Sequence, residues 1–171
     1  MKKYRLLLIT LSAITSATIT FSHNSFSQTT GCNYYASPTG TGNGLSQSSP
    51  FKISNFWSVA GPGKTLCLLD GTYTANDSMI TPPQNLNGIS GSPIMVRALS
   101  DGKVLINGQG SNQPVHLYRN DWFVIQGLNV CCSRGDVVYI SSSSHNIIRR
   151  VIGWDASDTN NMIFGLAYGS S

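Results

Sequence analysis

Apolar residues along this chain occur in short runs of three to nine residues, and clusters of turn-forming residues separate the runs. After residue 64 the runs cover residues 66–69, 94–98, 104–106, 115–117, 122–130, 137–140 and 146–152, and an earlier run covers residues 33–36. Most runs are rich in β-branched or aromatic residues, and Gly, Asn, Ser or Asp residues lie between the runs. The pattern predicts a protein built of short strands and turns.

The predicted strands repeat along the sequence. A shift of 23 residues places residues 115–117 on 138–140 and residues 124–125 on 147–148. A shift of 24 matches Val104 and Ile106 with Leu128 and Val130, and a shift of 26 matches Val138 and Ile140 with Phe164 and Leu166. A three-strand repeat of about this length predicts a parallel β-helix, in which each coil stacks on the next. The alternative is an antiparallel sandwich, which gives no reason for the three-strand register to recur.

One helix is predicted, at residues 50–60. Ser49 is a suitable N-cap, Pro50 is suited to the first helical position, and Gly61-Pro62-Gly63 ends the segment. The apolar residues between them fall largely on one helical face. We expect this helix to cap the open first coil, whose unpaired strand edges would otherwise promote aggregation.

The N-terminus has the features of a secretory signal peptide over residues 1–27. Lys2, Lys3 and Arg5 precede a mainly apolar stretch at residues 6–19, and small residues at Ser25 and Ser27 offer a cleavage site. The alternative is an N-terminal anchor that is not cleaved. No later run approaches the roughly eighteen apolar residues of a membrane span. The expected mature domain is therefore residues 28–171, located extracellularly, in a periplasm or at the cell surface.

Charge and composition narrow the function classes. The formal net charge is +4, but removing residues 1–27 leaves eight basic residues against seven acids, a net charge of +1. Nucleic acid is therefore not an expected partner. All seven acids are Asp, and charged residues make up only 11% of the chain against a usual value of about 25%. Helical bundles become improbable, whereas a hydrophobic fraction of 40% excludes a disordered chain.

The four cysteines predict one disulfide and no zinc site. Export permits disulfides, and Cys32 and Cys67 each lie at a predicted strand near the start of the domain, where they would join its first turn. Cys131 and Cys132 are adjacent, so on a strand they would point to opposite faces, with one acting as a small buried hydrophobic residue. No CxxC pair occurs, and we predict no metal ligands in this chain.

Six segments of the chain form a recognisable series: residues 34–40 (YYASPTG), 49–52 (SPFK), 61–73 (GPGKTLCLLDGTY), 91–98 (GSPIMVRA), 104–108 (VLING) and 122–128 (WFVIQGL). Together they resemble the opening of secreted right-handed parallel β-helix proteins of the pectate-lyase-like superfamily. Their order is closest to the polysaccharide lyases that include alginate lyases and chondroitinase B, although Lys64 stands where the family usually has Asp. The resemblance implies an all-β, right-handed solenoid.

The resemblance implies a lyase that acts on an anionic, uronate-containing polysaccharide. In that family the catalytic Lys and Arg and the calcium-binding carboxylates lie in later coils, so we expect the catalytic residues beyond Ser171. The chain then represents the N-terminal coils of a truncated solenoid and is inactive alone, while calcium belongs to the full-length protein, expected to be a monomer. The competing hypothesis is a non-enzymatic cell-surface or carbohydrate-binding β-helix protein.

Four residues are candidate contacts to such a polysaccharide. The guanidinium groups of Arg97, Arg149 and Arg150 would bind a uronate carboxylate through two parallel hydrogen bonds. The indole of Trp154 would stack on a sugar ring, as would the ring of Tyr118. For each residue the alternative is an ordinary solvated position on the outer face.

Overall fold

The computed structural model describes residues 31–157 and 162–167, and these residues form an almost entirely β structure. One short α-helix and one 3-10 helix (Asn76–Ser78) accompany the strands. In chain order the elements are β1 Tyr34–Ala36, α1 Ile53–Phe56, β2 Thr65–Leu68, β3 Gly71–Tyr73, β4 Ile94–Ala98, β5 Val104–Asn107, β6 Val115–Tyr118, β7 Phe123–Gln126, β8 Leu128–Cys131, β9 Val138–Ser141, β10 Ile147–Arg149, β11 Ile152–Trp154 and β12 Phe164–Ala167.

The strands form three parallel sheets, and the chain visits the sheets in turn. The five-stranded sheet has the order β1-β2-β4-β7-β10, the four-stranded sheet β11-β8-β5-β3, and the three-stranded sheet β12-β9-β6. A parallel pair needs a long crossover, and here the crossover is the rest of one coil. The predicted parallel β-helix is confirmed.

The strand register matches the repeat found in the sequence. Each predicted shift of 23, 24 or 26 residues reappears as a set of paired strands, because residues one coil apart lie side by side. The paired positions include Val115 with Val138, Ile125 with Ile148, Val104 with Leu128, and Phe164 with Val138.

Two predicted strands are each divided into two. Gly127 (φ +75°) separates β7 from β8, and Arg150 (φ +50°) belongs to the bend between β10 and β11. A left-handed residue turns the chain from the five-stranded to the four-stranded sheet, which apolar patterning does not reveal. Residues 71–73 also form a strand, β3, that the pattern did not predict.

The core lies inside the coils. Alternate residues of each strand point inward, as in Leu66, Val96 and Ile125, which lie in register on three neighbouring strands and are fully buried. Stacking aliphatic side chains on aliphatic side chains in this way buries apolar surface along the whole solenoid.

The capping helix exists but is shorter than predicted. It covers Ile53–Phe56, its N-cap is Lys52 and not Ser49, and Phe51 pairs with Ala36 as an isolated β-bridge. Ile53 and Phe56 are fully buried, and the rings of Phe51 and Phe56 both lie 5.8 Å from that of Tyr34 on β1. The aromatic side chains therefore cover the first coil.

The structure contains two disulfides among the described residues. Cys32 is bonded to Cys67 with a Cα–Cα distance of 5.6 Å. Cys131 and Cys132 are also bonded to each other, so the expectation that their side chains point to opposite faces was wrong. The alternation of a strand ends at Cys131, because Cys132 adopts a left-handed conformation (φ +60°).

The predicted signal peptide lies outside the described residues. Among residues 31–157 and 162–167, no helix is long and apolar enough to cross a membrane.

Candidate functional site

Two of the predicted arginines lie on one outward ladder of the five-stranded sheet. Arg97 on β4 is in register with Gln126 on β7, and Gln126 with Arg149 on β10. The Arg149 Nε donates to Gln126 Oε1 at 2.6 Å. However, Gln126 is buried and both arginines are partly buried, so this ladder presents little accessible surface.

The other two predicted residues lie elsewhere. Arg150 is in the bend after β10, where its Nε forms an ion pair with Asp101 Oδ2 at 2.5 Å. Trp154, 41% exposed, faces outward from the four-stranded sheet, in register with Cys131. The four residues therefore do not come together as one binding site.

The outer face of the three-stranded sheet brings a different set together. His116 on β6, Tyr139 on β9 and Gly165 on β12 are in register on adjacent strands. Thr81 extends this ladder upstream, since its neighbour Ile80 bridges to Val115. The ring centroids of His116 and Tyr139 are 5.3 Å apart, and those of His116 and Tyr118 6.5 Å apart.

An open polar cleft of about 200 Å³ adjoins His116 on this face. Its lining includes the polar residues Asn112 and Gln113 and the basic residue Arg134. Arg134 is the one formally charged residue in the lining and no carboxylate contributes to it. Polar groups that converge on a cleft, with a cation among them, suit an anionic ligand.

His116 has a perturbed proton affinity. Burial lowers its pKa, because the charged imidazolium loses hydration there, and the nearby Arg134 cation lowers the pKa further by repulsion. The imidazole is therefore neutral at neutral pH. A titratable group with a perturbed pKa in a cleft is a candidate functional group.

Charges of opposite sign lie at the two sides of the outer face of the three-stranded sheet. Arg134 lines the cleft beside His116, whereas the carboxylate of Asp136 lies over Gly165, on the other side of Tyr139. The Oδ1 of Asp136 accepts the Met162 N–H at 2.6 Å. At the far end of β6, the Arg119 guanidinium lies 5.3 Å from the centre of the Tyr118 ring, a cation–π contact. An anionic group is thus favoured at the Arg134 end and disfavoured near Asp136.

The described residues do not fit a calcium site. Within residues 31–157 and 162–167, no three His, Cys, Asp or Glu side chains lie close enough together to hold a metal ion. Calcium prefers six to eight oxygen ligands, usually including several carboxylates.

None of His116, Arg134 and Tyr139 was among the residues predicted from the sequence as polysaccharide contacts. The shift of 23 residues already aligned His116 with Tyr139 between two pairs of inward apolar residues. Comparing the outward positions of successive repeats would have revealed the ladder. Arg134 lies in the bend after β8, and the repeat gives no register for it.

No protein-family model matches the sequence, and no curated protein matches it. Among solved structures, pectate lyase Pel9A matches with a TM-score of 0.52 and 26% sequence identity, covering 66% of this chain and 31% of the lyase. A mannuronic acid specific polysaccharide family 6 lyase enzyme from human gut microbiota matches with a TM-score of 0.44 and 23% identity, covering 69% of this chain and 25% of the enzyme.

The chain is a pectate-lyase-like β-helix. Its parallel three-sheet coils and the similarity to Pel9A agree with the family resemblance found in the sequence. This β-helix spans less than a third of the length of Pel9A. The fold places the ladder of His116 and Tyr139 on a flat outer face, where a linear ligand can lie across successive coils.

Proposed function

We propose that this β-helix belongs to an exported protein that degrades an anionic, uronate-containing polysaccharide, and that the outer face of its three-stranded sheet binds the chain. The observation that carries the proposal is the cleft beside His116, whose lining contains the cation of Arg134 and no carboxylate. The similarity to a pectate lyase supports the reaction class.

The dimensions of the face suit a sugar polymer. Neighbouring strands lie about 4.8 Å apart, a spacing close to the length of one sugar unit, so consecutive units can lie against consecutive coils. The rings of Tyr139 and Tyr118 offer apolar surfaces for the sugar rings. Arg134 gives one unit a carboxylate partner, and a guanidinium binds carboxylates through paired charge-assisted hydrogen bonds.

We assign the Lys, Arg and calcium-binding carboxylates implied by the family resemblance to later coils of the solenoid. The second candidate function is a non-enzymatic carbohydrate-binding β-helix, which the exposed indole of Trp154 on a different sheet favours. Release of shortened, unsaturated chains separates the two functions, because only a lyase produces them.

Binding tests the proposal directly. Calorimetry with soluble polymannuronate, polyglucuronate and polygalacturonate is compared with a neutral glucan of similar length. We expect binding to the uronates alone, weakened by added salt. Arg134→Gln should lower the affinity about tenfold, a loss of about 1.4 kcal/mol.

The matched control is Arg150→Gln, which removes the same charge at an exposed ion pair on another part of the surface. It should leave the affinity unchanged. Equal binding of the neutral glucan, or equal losses in the two variants, would contradict the proposal.

A further inference from the structure

His116 and Tyr139 stand side by side on adjacent parallel strands, in direct register. Their ring centroids are 5.3 Å apart and the ring planes are inclined by 49°. Arg134 lines the cleft that adjoins His116, and Asp136 lies beyond Tyr139 on the side away from His116. An imidazole and a phenol therefore stand side by side on one outer face, and Arg134 lies beside the imidazole in the adjoining cleft.

We propose that His116 and Tyr139 are an elimination pair for a uronate chain whose carboxylate is held at Arg134. This inference rests on the proposed function, because it needs the polysaccharide to lie on this face. It departs from the expectation that the chain alone is inactive, and it adds a centre within the described coils.

The reaction needs no oxidant, reductant or metal. His116 accepts the proton from C5, the carbon next to the carboxylate; the C5–H electron pair forms a C4=C5 double bond; and the C4–O4 bond breaks. Tyr139 gives its hydroxyl proton to the departing O4. His116 then loses its proton to water and Tyr139 regains one, so both groups return to their starting states.

Each group suits its role. A base must be unprotonated at the working pH, and the lowered pKa of His116 keeps it neutral. Arg134, one cause of that lowering, also neutralises the carboxylate, which makes the C5 proton more acidic and stabilises the negative charge that develops. The described residues give the Tyr139 hydroxyl no hydrogen-bond partner, so it is available to a ligand.

The geometry also selects the sugar. Both groups project from the same face of one sheet, so they reach the sugar ring from one side only. H5 and O4 must then lie on the same side of the ring, as they do in the manno and gluco configurations. In the galacto and gulo configurations H5 and O4 lie on opposite sides. The substrate class is therefore a 1,4-linked mannuronan or glucuronan.

The experiment uses the full chain with a chelator present, on polymannuronate, polyglucuronate, polyguluronate and polygalacturonate. Ultraviolet absorbance of the new C4=C5 double bond reports product. We expect product from the first two substrates only. The rate should rise with pH as His116 loses its proton, with a midpoint below the ordinary histidine value of about 6.5.

Variants separate chemistry from binding. Tyr139→Phe keeps the ring and should lower the rate by about 10²-fold or more while leaving the affinity nearly unchanged, and His116→Gln should do the same. Tyr35→Phe is the matched control, since it removes a tyrosine hydroxyl from β1 of the five-stranded sheet, away from this face, and should keep the wild-type rate. Circular dichroism and a thermal melt show that each variant folds.

The outcomes distinguish the two proposals. Uronate binding with no product overturns the elimination pair and leaves the proposed function standing, whereas absence of binding to every uronate overturns both. Product from polygalacturonate or polyguluronate, or an unchanged rate in Tyr139→Phe, also overturns the pair. The substrate comparison needs only the wild-type chain, so a variant that fails to fold does not prevent a decision.

Discussion

Replacing Tyr73 by Phe tests how the first full coil is held together. Tyr73, at the end of β3, is fully buried, and its hydroxyl lies 2.9 Å from both the Ala36 and the Leu69 carbonyl oxygens. Ala36 ends β1, one coil earlier. The Tyr73 hydroxyl thus links β3 both to the end of β1, one coil earlier, and to the bend that precedes β3. It has only one proton to donate to the two carbonyl groups.

The expected loss of stability follows from which carbonyl is left without a partner. The Ala36 carbonyl also accepts the Leu69 N–H at 2.9 Å, so it stays bonded in the variant. The Leu69 carbonyl loses the donated hydrogen bond. Losing this partly buried hydrogen bond and leaving its acceptor without the phenol costs about 1–2 kcal/mol. The ring itself stays in place, so the variant creates no cavity.

The same residue predicts a pH effect. Burial raises the pKa of Tyr73, so the folded state holds this proton more tightly than the unfolded state does. The stability is therefore fully present below about pH 10, the unfolded value, and falls as the pH rises above it. Tyr73→Phe should remove that part of the alkaline loss.

Urea unfolding at neutral pH and at several pH values above 9 measures both effects. Tyr35→Phe is the control, because the described residues give its hydroxyl no hydrogen bond and it precedes Ala36 on β1; it should change stability by less than about 0.5 kcal/mol. If the Tyr73→Phe variant matches wild type within about 0.3 kcal/mol, the bridging role of the hydroxyl is refuted.

Three further perturbations have expected outcomes. Replacing both Cys32 and Cys67 by Ala opens a loop with a sequence separation of 35 and should cost about 2–4 kcal/mol in urea unfolding, and added reductant should then have little further effect. Gly127→Ala forces a side chain into a left-handed bend against Asp101; it should cost at least about 1 kcal/mol, partly recovered in a double variant with Asp101→Ala. Arg150→Ala breaks an ion pair whose two side chains are about half exposed, so it should cost less than about 1 kcal/mol and the difference should shrink in high salt.

The inward-facing core residues and the strand register could be predicted from the sequence. Val115 and Leu117 recur as Val138 and Ile140 because the inside of each coil accepts only apolar side chains of similar volume, so the repeat survives in the residue types. The same constraint predicted the parallel register. The bends could not be predicted from it, since a left-handed residue such as Arg150 or Cys132 carries no apolar signal.

The candidate arginines show why the site was harder to predict. Arg97 and Arg149 were chosen as cations, and they do share a ladder, but that ladder also contains the buried Gln126. Whether an outward position is accessible depends on what lies over each sheet, and the local sequence does not report it. The positions of the basic residues in the sequence therefore did not indicate which sheet, the five-stranded or the three-stranded one, carries the candidate site.

In a parallel β-helix, outward-facing residues on successive strands lie side by side even when their residue types differ. Thr81, His116, Tyr139 and Gly165 occupy successive outward positions, whereas the residues just before them are all apolar: Ile80, Val115, Val138 and Phe164. Because the core fixes the spacing of the coils, a side chain that changes at an outward position alters the chemistry of the face without altering the fold. The repeat that identifies the solenoid therefore also places His116 beside Tyr139 on the next strand, about 4.8 Å away, and the proposed elimination uses both groups from that one side.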